Sequence, residues 1–147
     1  MSLQADRFIY DAIKNDDSVK TLTAGRIYNT YRPEKDEQED AVPYIIVTFD
    51  GLQNERVSKD DDYESDTDQV TISVLCVATD KRGCLHDLTQ AVRSAVASHI
   101  REHASDYEEH YGVSIEGYDL SANAVQFDPA KPCLFQTLSY RIETYTE

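Results

Sequence analysis

The sequence predicts an α+β domain: a mainly antiparallel β-sheet with an N-terminal helix and one long central helix packed on one face. Three observations lead to this fold class. Apolar residues recur at helical spacing near the start of the chain and again after residue 83, and they alternate with period two around residues 69–77. Segments of the two kinds follow one another as helix, strands, helix, strands. The length of 147 residues predicts one domain, residues 1–147.

Two stretches have the spacing of amphipathic helices. The first carries its apolar residues at Ala5, Phe8, Ile9, Ala12 and Ile13. A short turn at 18–22 follows, and Gly25 offers the left-handed residue that commonly ends such a turn. The second helix is predicted over Cys84–His103, with Thr79 or Asp80 as its cap. Its apolar stripe consists of Leu85, Leu88, Val92, Ala95 and Val96.

The strands are predicted from β-branched and aromatic composition. A short strand at 26–28 precedes the clearest one, 44–49. Asp50-Gly51 then predicts a tight hairpin turn, with a returning strand over 52–57. The strand 69–77 has an apolar face and a mixed face, which predicts a central position in the sheet. Strands over 118–127 and 134–144 complete the set, separated by a turn at 128–132.

The formal net charge is −14, and most of the excess lies in one region. Residues 33–68 hold 13 acidic and 3 basic residues, a net charge of −10. This balance argues against non-specific DNA binding and against docking on anionic membranes, since both need Lys and Arg. The carboxylates form two acidic loops at about 33–42 and 58–68: Glu34, Asp36, Glu37, Glu39, Asp40, Asp60, Asp61, Asp62, Glu64, Asp66 and Asp68.

These acidic loops have two interpretations. They are either solvated loops that aid solubility, or a surface that repels a polyanion or grips a cation. The predicted hairpin would bring both loops to the same end of the sheet. If 52–57 is not a strand, they separate to opposite ends. The second loop has acids enough for calcium but lacks the residue order of an EF-hand.

The spacing of the cysteines and the hydropathy of the chain argue against disulfide-rich, zinc-ribbon and membrane-spanning proteins. The three cysteines have no CxxC spacing, so a disulfide framework or a zinc ribbon is not expected. Cys76 lies in the apolar alternation and is predicted to be a small buried residue. No run approaches the ~20 apolar residues that span a bilayer. We expect a soluble protein of a reducing compartment, with no membrane partner.

One motif resembles an enzyme site. His99-Ile100-Arg101-Glu102-His103 matches the H-x-x-E-H pattern of inverted zinc peptidases. However, His99 and His103 also continue the apolar stripe of the predicted helix, so core-edge packing explains them without metal. The five glycines form neither a phosphate loop nor a dinucleotide fingerprint. We therefore expect no enzyme activity, no catalytic residue, no cofactor and no metal, with His99 and His103 as the candidate ligands if zinc binds.

The order of segments resembles a known family. A short amphipathic N-terminal helix leads to Gly25-Arg26-Ile27-Tyr28 and then to Val42-Pro43-Tyr44-Ile45-Ile46-Val47. The strand-to-helix unit DQVTISVLCVATDKRGCLHDLTQAVRSAV and the closing strand CLFQTLSYRIETY follow. Over roughly residues 3–145 the chain is similar to the tail-completion proteins of long-tailed bacteriophages and prophages. These proteins are also called tail terminators or minor tail proteins of the neck.

The resemblance implies a role in virion assembly without chemistry. Such proteins form a ring, typically a hexamer, on the finished tail tube, where they end polymerisation and meet the head connector. The implied partners are further copies of the chain, the tail tube protein and the head-connector protein. DNA passes through the ring without specific binding, and one or both acidic loops would face this lumen or a partner. The implied location is the bacterial host cytoplasm during assembly and then the neck of the virion.

Two other function classes stay open on sequence grounds. A small acidic binding module, such as a DNA mimic or an inhibitor, would need its carboxylates arrayed along a rigid face. Here they cluster in loops. A zinc hydrolase would rest on the five-residue motif at 99–103 alone.

Overall fold

The structure is a computed structural model that describes residues 5–30, 42–54, 67–111, 113–130 and 132–146. The side chains at 67, 103–111, 113, 114, 116, 145 and 146 lie outside that description. The described helices are α1 (Ala5–Lys14), α2 (Asp17–Thr23) and α3 (Cys84–Tyr111). The described strands are β1 (Ile27–Asn29), β2 (Tyr44–Gln53), β3 (Thr67–Thr79), β4 (Val113–Ala122), β5 (Gln126–Asp128) and β6 (Cys133–Thr146).

The six described strands form one mixed sheet in the order β1-β2-β3-β6-β4, with β5 paired to β6. Only β1 and β2 run parallel, and the other described pairs are antiparallel. β3 pairs along its whole length with β6, from Thr67 opposite Tyr145 to Thr79 opposite Cys133. The predicted α+β class and the central position of the 69–77 strand are both confirmed.

The core lies between one face of the sheet, here called the inner face, and helices α1 and α3. These two helices contact each other as well as the sheet. The apolar stripes predicted from spacing are the buried ones: Ala5, Phe8, Ile9, Ala12 and Ile13 on α1, and Leu85, Leu88, Val92, Ala95 and Val96 on α3. Alternate residues of β3 meet them: Val70, Ile72, Val74, Cys76 and Ala78. The opposite side of the sheet is called the outer face below.

The predicted hairpin at Asp50-Gly51 is wrong. β2 continues through both residues and pairs with β3 from Tyr44 to Gln53, with a β-bulge between Phe49 and Gly51. At the bulge the Ser73 hydroxyl donates a hydrogen bond to the Asp50 carboxylate. The physical reason is that the long partner strand supplies a ladder along all of β2, whereas a turn at this point would forfeit the later pairs. Residues 52 and 53 therefore extend β2, and residues 55–57 of the expected return strand lie outside the described residues.

The continuous course of β2 separates the two acidic loops. The chain enters β2 at Tyr44 and leaves it at Gln53, so the two acidic loops are attached at opposite ends of this strand. β3 begins at Thr67, and Asp68 therefore lies in a strand and not in the second loop. The other acidic residues of both loops lie outside the described residues.

A glycine substitution distinguishes bulge from turn. Gly51 has no positive φ, and a Cβ added there would meet nothing within 4 Å. We expect Gly51→Ala to change the free energy of unfolding by no more than about 0.5–1 kcal/mol, because Ala suits an extended backbone. Urea denaturation measures this. The matched control is Gly83→Ala, where φ is +83° and a loss of about 1–2 kcal/mol is expected. Equal losses at both positions would contradict the bulge and favour a left-handed turn at Gly51.

Several element bounds also differ from the predictions. α3 runs to Tyr111, well past His103, because residues 104–111 contain no glycine or proline. β4 begins at Val113, so Gly117 lies inside a strand and not in a loop. Where only a short turn at 18–22 was predicted, a second helix starts at Asp17, since the Asp16 carboxylate accepts a 3.0 Å hydrogen bond from the Val19 amide. Gly25 is left-handed as predicted, at φ +80°, but α2 already ends at Ala24, which is left-handed too, at φ +53°.

Candidate functional site

The histidine motif lies on the C-terminal half of α3. His99 is half-buried, and its ring packs against Phe8 of α1 with 4.5 Å between the ring centroids. Glu102 is exposed, and the side chain of His103 lies outside the described residues. Among the residues described here, no group of three or more His, Cys, Asp or Glu side chains is placed to hold a metal ion. The contact with Phe8 gives His99 a packing role, and the expectation that no zinc binds stays a prediction.

Of the eleven predicted acidic site residues, Asp68 is the one that the structure describes. Its carboxylate accepts a hydrogen bond from the Asn54 side chain, which ties the start of β3 to the end of β2. The remaining predicted site residues are outside the described part of the chain: Glu34, Asp36, Glu37, Glu39, Asp40, Asp60, Asp61, Asp62, Glu64 and Asp66. Their assignment to a lumen or to a partner surface stays a prediction. What the structure adds is the attachment of the loops at opposite ends of β2.

Cys76 and Tyr140 are ionisable residues of the described core, and burial favours the neutral form of both. Burial raises the pKa of the Cys76 thiol to about 12. Burial also raises the pKa of the Tyr140 phenol above its usual range, with smaller contributions from Tyr118 and Cys76 and an opposing one from Arg93. A nucleophilic thiol needs a lowered pKa. Neither group is therefore prepared for acid–base or nucleophilic chemistry at neutral pH.

The outer face of the sheet changes character from one end to the other. Near the end of β3 that leads into α3, apolar side chains share this face: Ile46, Leu75, Val77 and Phe135. Towards the opposite end the positions become polar, with Thr48, Ser73 and Ser139 in register. Beyond them Arg141 pairs with Asp119 at 3.5 Å, and both side chains are largely exposed. An exposed pair of this kind contributes little stability.

A cleft of about 340 Å³ lies where β3 leads into α3. One wall is formed by the connecting segment and the first turns of α3, with Lys81, Arg82 and His86 on it. The other wall comes from β6 and the segment before β5. The complete lining is Lys81, Arg82, Gly83, Leu85, His86, Thr89, Val125, Leu134 and Gln136. No carboxylate is among these described lining residues, in a chain of net charge −14. We call this site the basic cleft.

Sequence reasoning missed the basic cleft because its walls come from segments about 40 residues apart. Register brings them together: Thr79 at the end of β3 lies opposite Cys133, and β5 pairs with the start of β6. One local signal was present. Lys81-Arg82 is a pair of adjacent basic residues in a strongly acidic chain, just before the predicted helix.

Among the described residues, no helix has the length and apolar content needed to cross a membrane. Comparison with known families and curated proteins finds no family model and no curated protein that match the chain. Solved structures do match. One is a chain of the virion of a native gene transfer agent (GTA) particle, with a TM-score of 0.58 and 11% sequence identity. The match covers 95% of this chain and 93% of that chain, and it shows a shared fold over nearly the whole length of both.

Proposed function

We propose that this chain is a structural virion-assembly protein. It caps the tail tube of a phage-type particle as a ring, ends tail polymerisation and joins the tail to the head connector. The observation that carries the proposal is the shared fold with a chain of a GTA virion, which extends over 95% of this chain. The resemblance of its segments to tail-completion proteins supports the same role independently of that structural match.

The physical properties of the described residues are compatible with a role in assembly. The buried thiol and phenol are neutral at pH 7, and His99 packs against Phe8. A ring of identical subunits needs two different, complementary surfaces on each copy. In this chain the basic cleft and the attachment of the 33–42 loop lie at one end of the sheet, and the 58–68 loop is attached at the other. By resemblance the ring is a hexamer.

The acidity has a role in this proposal. At least one of the acidic loops, at about 33–42 and 58–68, lines the lumen or its rim. Like charge there keeps DNA from adhering as the genome passes. Because the loops are attached at opposite ends of β2, the other loop is available for contact with a partner. The protein would act in the host cytoplasm during assembly and then stay in the neck of the particle.

The direct test is electron microscopy of tails assembled with and without the chain. We expect tails made without it to be longer and more variable in length than those made with it, and to fail to join heads. Supplying the intact chain in trans should restore both properties, which serves as the control. Tails of normal length that join heads in the absence of the chain would overturn the proposal.

A further inference from the structure

We infer that the basic cleft binds the acidic 60–66 segment of a second copy of this chain, forming the head-to-tail contact between neighbours. This inference rests on the proposed ring and names the surfaces that close it. The cleft and this segment carry opposite charges. Lys81 and Arg82 are exposed, and no described carboxylate forms an ion pair with either. The 60–66 segment carries five acidic residues and no basic one. Opposite charges on two surfaces steer association and set its register.

Large apolar side chains are exposed beside those charges. Val125 and Phe127 are each 53% exposed, more than any other large hydrophobic side chain in the described residues. Val125 lines the cleft, and Phe127 lies opposite Leu134, another lining residue, in the β5–β6 register. Apolar and aromatic side chains that are flanked by charges are typical of the centre and rim of protein interfaces. Charge and apolar exposure therefore fall on the same surface.

The cleft and the attachment points of residues 55–66 lie at opposite ends of the sheet. The basic cleft lies at the Thr79 end of β3, whereas the segment that contains 60–66 joins the sheet at Asn54 and Thr67, the other end. A strand of 13 residues spans roughly 40 Å. A 12-residue connection fixed at both ends reaches only about 20 Å from them, half its extended length. These lengths put the cleft beyond the reach of residues 60–66 of the same chain, so in the inferred contact a neighbouring copy supplies them.

The test is a charge swap measured by sedimentation equilibrium. We expect the intact chain to self-associate at low salt and to weaken at least about tenfold at 0.5 M NaCl, because screening shortens the range of the charges. Lys81→Glu with Arg82→Glu should weaken association by at least about tenfold, since it places like charges together. The matched control is Lys14→Glu with Arg101→Glu, which makes the same charge change at exposed positions elsewhere. This control should associate like the intact chain, and circular dichroism should show both variants folded.

The reciprocal variant completes the swap. Asp60→Lys, Asp61→Lys, Asp62→Lys, Glu64→Lys and Asp66→Lys in one chain should also abolish self-association, because together they change the net charge of residues 60–66 from −5 to +5. Mixing this variant with the Lys81→Glu, Arg82→Glu variant should restore assembly, because every contact in an alternating ring then joins opposite charges. A chain that stays monomeric at its highest soluble concentration, a cleft variant that associates normally, or a mixture that does not assemble would each overturn the inference. If the cleft variant still gives tails of normal length, this contact is refuted while the proposed function stands.

Discussion

Replacing Tyr140 with Ala is expected to lower the free energy of unfolding by about 3–5 kcal/mol, the usual cost of truncating a buried aromatic residue. Tyr140 is 1% exposed and lies on the inner face of β6, opposite Ile72 on β3 and Leu120 on β4. Its ring also lies 6.1 Å from that of Tyr118. Removing it leaves a cavity that the surrounding strands cannot close, because they are held by ladders on both sides. Urea denaturation followed by circular dichroism measures the loss.

The conservative variant Tyr140→Phe isolates the hydroxyl. The Tyr140 hydroxyl is buried and has no hydrogen-bond partner in the described part of the chain. An unpaired buried hydroxyl is unfavourable, so we expect Tyr140→Phe to leave stability unchanged or to raise it by about 1 kcal/mol. A clear loss of stability in Tyr140→Phe would show that the hydroxyl is hydrogen-bonded in solution. A small loss in Tyr140→Ala would contradict the central position of the ring in the core.

Replacing Phe8 with Ala is expected to cost about 3–5 kcal/mol and to release α1 from α3. Phe8 is 3% exposed and contacts the ring of His99, so it joins the N-terminal helix to the C-terminal half of the long one. Arg7→Ala is the matched control, because Arg7 is exposed on the same helix and its loss should change stability by less than about 0.5 kcal/mol.

Hydrogen exchange shows where the effect of Phe8→Ala lies. We expect amides of α1 to lose protection more than amides of β3, since Phe8 lies on α1 whereas β3 is paired with a strand on each side. Equal losses in Phe8→Ala and Arg7→Ala, or exchange that rises uniformly, would argue against a joining role.

The parts of the fold that could be predicted from sequence are those where burial is periodic. Ala5, Phe8, Ile9, Ala12 and Ile13 are all buried in α1, since helical spacing alone places them on one side. β3 was placed at the centre of the sheet because its second face is mixed, and it is flanked by β2 and β6. Such spacing signals are local, so they do not depend on how distant parts of the chain pair or pack.

The hairpin prediction was wrong because long-range strand pairing outweighed a local turn signal. Asp50-Gly51 is a strong turn signal in isolation, but β3 offers partners along the whole of β2, and the chain takes a bulge instead of a turn. The end of α3 was misplaced for a related reason. The polar residues after His103 give no apolar stripe, although nothing in them stops a helix before Gly112.

The candidate site likewise has some features that the sequence predicts and others that depend on the tertiary structure. The predicted acidic loops are a property of composition, and their charge of −10 over residues 33–68 is visible without any structure. Their attachment at opposite ends of β2 was not predictable without knowing whether the chain turns at Gly51. The basic cleft could not be found at all, because it exists only where the start of β6 lies beside the end of β3.

By itself, the sequence determined the α+β class, the buried faces of α1, β3 and α3, and the concentration of negative charge, since each depends on the spacing or the number of residues. The tertiary structure alone decided the bulge in β2, the separation of the acidic loops and the basic cleft. These depend on which strand pairs with which, and in what register. Pairing joins residues far apart in the chain, and such long-range choices leave no local trace.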